Sequence, residues 1–207
     1  MKVPREFIGS FLNNESDIDL LIEYGFLPSS IEYCLKYDDI SAFKCFSFNT
    51  IINAKWSPFE WSQKPNSLDL LSFSGFFGSI QCFKHLLMNG FQINNSVISS
   101  VVCSGSLDLF HLCNHENIDY VECLCLASEF CQMPILKFLL ENGVNLNSVN
   151  QIGWTPLHFA AEKSHLSIIE FLINHGAKLD ISQVDAISRI IMFLLFIMLL
   201  KMVYYVW

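Results

Sequence analysis

Apolar and polar positions alternate at helical spacing through the middle of the chain, and three segments close in the same way. Phe83-Lys84-His85-Leu86-Leu87-Met88-Asn89-Gly90, Leu136-Lys137-Phe138-Leu139-Leu140-Glu141-Asn142-Gly143 and Ile169-Glu170-Phe171-Leu172-Ile173-Asn174-His175-Gly176 each place apolar residues three and four apart. That spacing marks a helix with one buried face. Each segment ends on Gly, which accepts the left-handed backbone just past a helix terminus. Gly143 and Gly176 stand 33 residues apart, and this offset aligns two units in detail. Leu124 falls on Leu157, Ala127 on Ala160, Ile135-Leu136 on Ile168-Ile169, and Leu139-Leu140 on Leu172-Ile173. Counting back from Gly90, Leu71, Ser74, Gly78, Cys82 and Phe83 take the same places. A weaker unit fits between, through Ile98, Val101, Gly105, Leu109 and Phe110, and ends near Asn117. Its shorter spacings predict helix pairs with abbreviated connections.

The front of the chain is also helical in pattern. Pro28-Ser29-Ser30 predicts a helix start, with Ile31, Cys34 and Leu35 on the apolar face that follows. Asp38-Asp39 restarts a helix through Ala42, Phe43 and Phe46, and residues 17–25 predict a further helix ending at Gly25. Pro58 and Pro65 make 57–65 a loop. The expected organisation is an N-terminal helical segment (1–65), degenerate helix pairs (66–149), one clear repeat (150–181) and a hydrophobic tail (187–207).

Residues 150–161 read Asn150-Gln151-Ile152-Gly153-Trp154-Thr155-Pro156-Leu157-His158-Phe159-Ala160-Ala161. With the 33-residue period, this stretch closely resembles the ankyrin repeat, whose hallmark is T-P-L-H-x-A. The resemblance implies an all-α fold, an ankyrin-type solenoid of stacked antiparallel helix pairs, with a full finger loop only near 144–154. Thr155 is expected to cap the first helix of the pair. Pro156 sits at the first helical position, where its missing N–H costs nothing. His158 hydrogen-bonds near Thr155, and Ala160 and Ala161 are small so that neighbouring helices approach closely. Leu157, Ile168, Ile169, Leu172 and Ile173 fill the layer between repeats, and Gly176 closes the second helix. Two residues depart from the pattern: Asn150 replaces the usual Asp, and Ser164 replaces the usual inter-helix Gly. Ser164 must then adopt the turn geometry at some cost. The variable contact positions of the family map onto Gln151, Ile152, Trp154, Glu162 and Lys163. Trp154 is the preferred anchor, because aromatic side chains dominate interface energetics; the alternative is that it packs on the preceding repeat. The stretch from Ser30 to Ile40 is similar to an uncharacterised helical domain that precedes ankyrin arrays in protist parasites such as trichomonads, a likeness spanning about residues 15–145.

Composition narrows the function. Hydrophobic residues make up 52% and charged residues 15%, which excludes a disordered chain. The net charge of −8 and the lack of a basic run argue against nucleic acid as a partner. Glu6, Glu15, Asp17 and Asp19 interrupt the first 22 residues, so no secretory signal is expected there and the body is expected in the cytoplasm. In that reducing compartment the eight cysteines are expected as buried free thiols. With no C-x-x-C spacing, no metal site is expected. No phosphate loop or nucleophile–base pair appears either, so no catalytic residue and no cofactor is expected.

The tail changes character. Of residues 190–207, only Lys201 is charged. One helix is expected over 187–206; as a helix, the 18 residues 190–207 would span about 27 Å, near the roughly 30 Å of a bilayer core. Arg189, Tyr204, Tyr205 and Trp207 suit its flanks. Phe193 and Leu194 stand where a further repeat would need small residues. The stretch reads as a membrane anchor, as a buried helix capping the array, or as a frameshifted extension with no selected role. The expected function is a non-enzymatic protein–protein interaction scaffold with an unidentified protein partner. Membrane association through 190–207 is the alternative.

Overall fold

The structure, a computed structural model, describes residues 26–27, 30–46, 53–55, 67–113 and 118–178. The chain divides into two compact units at Val101/Val102. The first holds α1 (Ile31–Tyr37), α2 (Ile40–Phe43), β1 (Asn53–Lys55), β2 (Ser67–Asp69), α3 (Leu70–Phe77) and α4 (Ile80–Met88). The division falls within α5 (Asn95–Ser104). The second unit continues with α6 (Leu107–Leu112), α7 (Tyr120–Glu129), α8 (Met133–Glu141), α9 (Pro156–Glu162) and α10 (Leu166–Asn174).

Short polar side chains start these helices by taking orphan backbone N–H groups. Ser30 Oγ accepts from Tyr33 N at 3.2 Å. Asp39 Oδ1 accepts from Ser41 N and Ala42 N, each at 3.1 Å. Asp69 Oδ1 accepts from Ser72 N at 2.8 Å, and Asp119 Oδ1 from Val121 N and Glu122 N at 3.1 Å each. The helix expected through Phe46 stops at Phe43, with a turn at Lys44 and Cys45.

One turn recurs between helices. Asp38, Gly78, Gly105, Cys131 and Ser164 all take left-handed backbone, with φ of 54°, 72°, 78°, 59° and 59°. Where the bond that closes the helix is seen, the next N–H reaches the carbonyl five residues back. Asp39 N bonds Cys34 O at 2.9 Å, Ser79 N bonds Ser74 O at 3.0 Å, Gln132 N bonds Ala127 O at 2.8 Å, and His165 N bonds Ala160 O at 2.9 Å. Such a reversal folds each pair into a helix hairpin.

In the first unit α1 packs on α3, α2 on α4, and α3 on α4. In the second, α7 packs on α8 and on α9, and α9 on α10. The aligned apolar positions form the core: Leu71, Phe83, Leu124, Leu136, Leu139, Ile168 and Leu172 are all fully buried. Small residues let the helices approach. Ala127 and Ala160 are fully buried, and a Cβ on Gly75 would stand 2.9 Å from Val101 Cγ2. Ile98, Val101, Leu109 and Phe110 of the weaker unit are buried. Its connections are short, as the spacing predicts: residues 89–94 separate α4 from α5.

Two expectations need correction. The described residues are not all helical: β1 and β2 pair antiparallel, with Asn53 opposite Asp69, Ala54 opposite Leu68 and Lys55 opposite Ser67. Asp69 both ends β2 and caps α3, so the chain enters that helix extended and offers its backbone for pairing. The pairing of β1 with β2 thus places extended backbone outside 144–154 as well. The helix expected over 17–25, the loop 57–65, the repeat end at Asn117 and the tail 187–207 lie outside the described residues. Among the described residues, no helix is long and apolar enough to cross a membrane.

Candidate interaction site

The connection between α8 and α9 is organised by Asn150. Its backbone N–H donates to Trp154 O at 2.9 Å. Its side-chain oxygen accepts from Ile152 N at 3.1 Å and Trp154 N at 3.0 Å. Three bonds thus pin a tight turn over residues 150–154, with Gly153 at φ 81°. The carboxamide oxygen does here what a carboxylate oxygen would do, so Asn in place of Asp leaves the turn intact. Gln151 and Ile152 project from its tip; Ile152 is 67% exposed, and nearby Val149 is 48% exposed. Residues 142–161 contain no Asp, Glu, Lys or Arg, so this surface carries no acidic, lysine or arginine side chain.

Trp154 is half-buried. Its ring lies 5.3 Å from Phe159 in a T-shaped pair and 6.0 Å from His158. It packs on the helix of its own repeat, while its carbonyl accepts a long 3.9 Å contact from Cys125 Sγ of the preceding one. Beside it, Thr155 and His158 close a capping box at the start of α9. Thr155 N donates to His158 Nδ1 at 3.1 Å, and Thr155 Oγ1 lies 2.8 Å from the same nitrogen. A nitrogen that accepts from a backbone N–H carries no proton, so the Thr155 hydroxyl is the donor of the second bond. Pro156, Leu157, Ala160 and Ala161 are buried, and Gly176 takes φ 93° after α10.

Glu162 and Lys163 are exposed at the far end of α9, about 10 Å along the axis from its start. Lys163 Nζ lies 3.4 Å from Glu129 Oε1 and 3.6 Å from Glu162 Oε1. Exposed pairs of this kind add little stability. The five contact positions therefore fall into two patches: Gln151, Ile152 and Trp154 on the finger, and Glu162 and Lys163 at the helix end.

The sequence reading missed a set of side chains that join neighbouring repeats. His165 Nε2 donates to Glu129 O at 2.8 Å. Gln132 Nε2 donates to Cys103 O, and Ser79 Oγ to Leu35 O. Each satisfies a carbonyl near the C-terminus of an earlier helix, where partners are lacking. In the structure each donor directly follows a left-handed residue, namely Ser164, Cys131 and Gly78. Asn147 forms a second link, its Nδ2 donating to Gly176 O at 3.3 Å and its Oδ1 accepting from Lys178 N at 2.6 Å. Lys137, Leu140, Glu141, Phe171 and His175 line an open groove of about 520 Å³ beside α8 and α10.

The thiols are mostly inert. Burial pushes the pKa of Cys113 up to about 11 and those of Cys123 and Cys125 up to about 12, the last two helped by nearby carboxylates. Cys34 and Cys82 are raised too, first by burial and then by Asp39 and Asp38 respectively. Two cysteines depart from the expected burial: Cys45 and Cys131 are exposed. Both lie in turns after helices, where the chain bends away from the core. No group of three metal-ligating side chains occurs among the described residues.

Residues 123–173 match the ankyrin repeat family. The chain is 30% identical over 101 residues to a glycerophosphocholine phosphodiesterase of Candida albicans, covering 47% of this chain and 8% of that protein. It is 43% identical over 47 residues to a putative ankyrin repeat protein of fowlpox virus, covering 23% of this chain and 33% of that one. The chain thus spans a small part of the first relative and a third of the second. The crystal structure of the human ASB11 ankyrin repeat domain superposes with a TM-score of 0.53 at 20% identity, covering 73% of this chain and 71% of that one. This likeness establishes the fold as that of ankyrin repeats.

Proposed function

We propose that the protein is a non-enzymatic scaffold that binds a protein partner through the 144–154 finger and the exposed end of α9. The observation that carries this reading is the finger itself. Asn150 holds it in one shape, so Ile152 and Val149 are presented to solvent with little ordering left to do on binding. Trp154, braced by Phe159 and His158, supplies a rigid aromatic of the kind that anchors interfaces. Repeats of this type contact mainly their neighbours and leave an extended surface for partners. The likeness of residues 15–145 to the helical domain of protist-parasite ankyrin proteins belongs to the same reading, as does a cytoplasmic location.

The test uses the full chain with a photoreactive residue in place of Ile152, and separately in place of exposed Glu170 on α10. A protein adduct is expected from position 152 and not from 170. Equal yields from both positions would remove the finger as the binding surface.

A further inference from the structure

The helices α8 and α10 hold the same place in successive hairpins. His165, just before α10, bonds Glu129 O ahead of α8, and Gly176 O, just past α10, accepts from Asn147 beyond α8. Starts meet starts and ends meet ends, so the two helices run in the same direction. The groove of about 520 Å³ lies beside them. A second hollow of about 320 Å³ continues it past Leu140 and His175, over residues 143–147 and Gly176. The groove has an apolar lining that is held in place. Leu140 and Phe171 are half-buried. The His175 ring stacks on Phe171 with centroids 4.0 Å apart, and its Nδ1 donates to Phe171 O at 2.7 Å. The α8 side carries opposite charges one turn apart, on exposed Lys137 and exposed Glu141. Lys137 Nζ leans toward Phe171, 5.9 Å from the ring centroid. Among the described residues, neither Lys137 nor Glu141 forms an ion pair. Lysine ahead of glutamate is the less favourable order for pairing within a helix, so both charges are open to groups from outside.

We propose that this groove docks an amphipathic helix of a protein partner, antiparallel to α8 and α10, with a basic residue near its N-terminus at Glu141 and an acidic residue further on at Lys137. Leucine-like side chains between the two charges settle on Leu140 and Phe171. An apolar groove between helices is the shape that the face of a third helix fills. The direction follows from charge. The C-termini of α8 and α10 lie together at the Glu141 end, and helix C-termini carry partial negative charge. A helix N-terminus with a basic side chain is favoured there, and Lys137 then selects an acid toward the partner's C-terminus. The chain's own apolar tail matches this pattern poorly, because residues 186–207 contain no Asp or Glu to pair with Lys137. The finger is a separate surface. Glu170 stands 33 residues after Lys137, and so takes its place on the flank of α10 turned away from α8.

The test titrates two fluorescent alanine-rich helical peptides with the full chain, held in solution by a mild detergent, and reads anisotropy against detergent alone. Both peptides carry leucines on one face. One has lysine a turn before the leucines and glutamate a turn after them; the other exchanges the two charges. The exchanged peptide is the better helix by itself, since acid at the N-terminus and base at the C-terminus suit its dipole. Weaker binding by it therefore does not come from lost helicity. The lysine-first peptide should bind saturably, and the exchanged peptide about fivefold more weakly. Lys137→Glu combined with Glu141→Lys, at exposed positions where circular dichroism should stay unchanged, should reverse that order. Ile152→Asp on the finger should alter neither affinity. Equal affinity for the two peptides, an order that the double substitution does not reverse, loss of binding with Ile152→Asp, or no saturable binding to the full chain would each overturn the proposal; in the last case the groove would be left to the chain's own tail.

Discussion

At the scale of single residues, Ser164 and Cys131 hold left-handed backbone at φ 59° with side chains that the conformation penalises. Ser164 is exposed, so replacing it removes no buried contact. Ser164→Gly should raise stability by about 0.5–1 kcal/mol, the relief of strain outweighing the added freedom of the unfolded chain. Urea denaturation measures this, and a loss of stability would mean that the hydroxyl supports the turn. The thiols give a second prediction. Cys45 and Cys131 should react with a disulfide reagent at pH 8, while Cys113, Cys123 and Cys125 should stay protected until the protein unfolds. Their folded values of about 11, 12 and 12 lie above the ordinary 9.0, so their neutral forms favour the folded state. That stability is complete below about pH 9 and falls as pH rises from 9 toward 12. A urea midpoint unchanged between pH 8 and pH 10.5 would contradict it.

At the scale of elements, two helix starts at the front of the chain were legible because caps are local chemistry: Ser30 and Asp39 cap the helices that directly follow them. Thr155→Ala should cost about 0.5–2 kcal/mol by opening the capping box, read as a lower denaturation midpoint. The links between repeats were not legible. His165, Gln132 and Ser79 are ordinary polar residues in a linear reading, and the carbonyls they reach lie 29 to 44 residues earlier. His165→Ala should cost about 1 kcal/mol by stranding the Glu129 carbonyl, and His165→Gln should recover part of that. An unchanged midpoint for His165→Ala would show that water replaces the bond. The two-stranded ribbon escaped notice for the same reason: Asn53 and Asp69 meet only across the chain between them.

For the whole molecule, residues 190–207 matter most to behaviour in solution. Seventeen of those 18 residues are uncharged, and soluble monomers rarely expose contiguous apolar patches beyond a few hundred Å². A chain ending at Asp180 should therefore stay soluble at concentrations where the full chain, without membrane or detergent, aggregates. Equal solubility by sedimentation would contradict this. The sequence by itself determined the repeat, its 33-residue register, the buried face of each helix and the motif at Thr155, Pro156 and His158, because these depend on periodicity and on contacts within a turn or two. Only the tertiary structure decided that Trp154 leans on Phe159 and His158, that Lys36 sits among Phe26, Tyr37 and Phe77, and which carbonyls the polar residues between helices reach. Those contacts join residues whose separation along the chain carries no period, and packing alone brings them together.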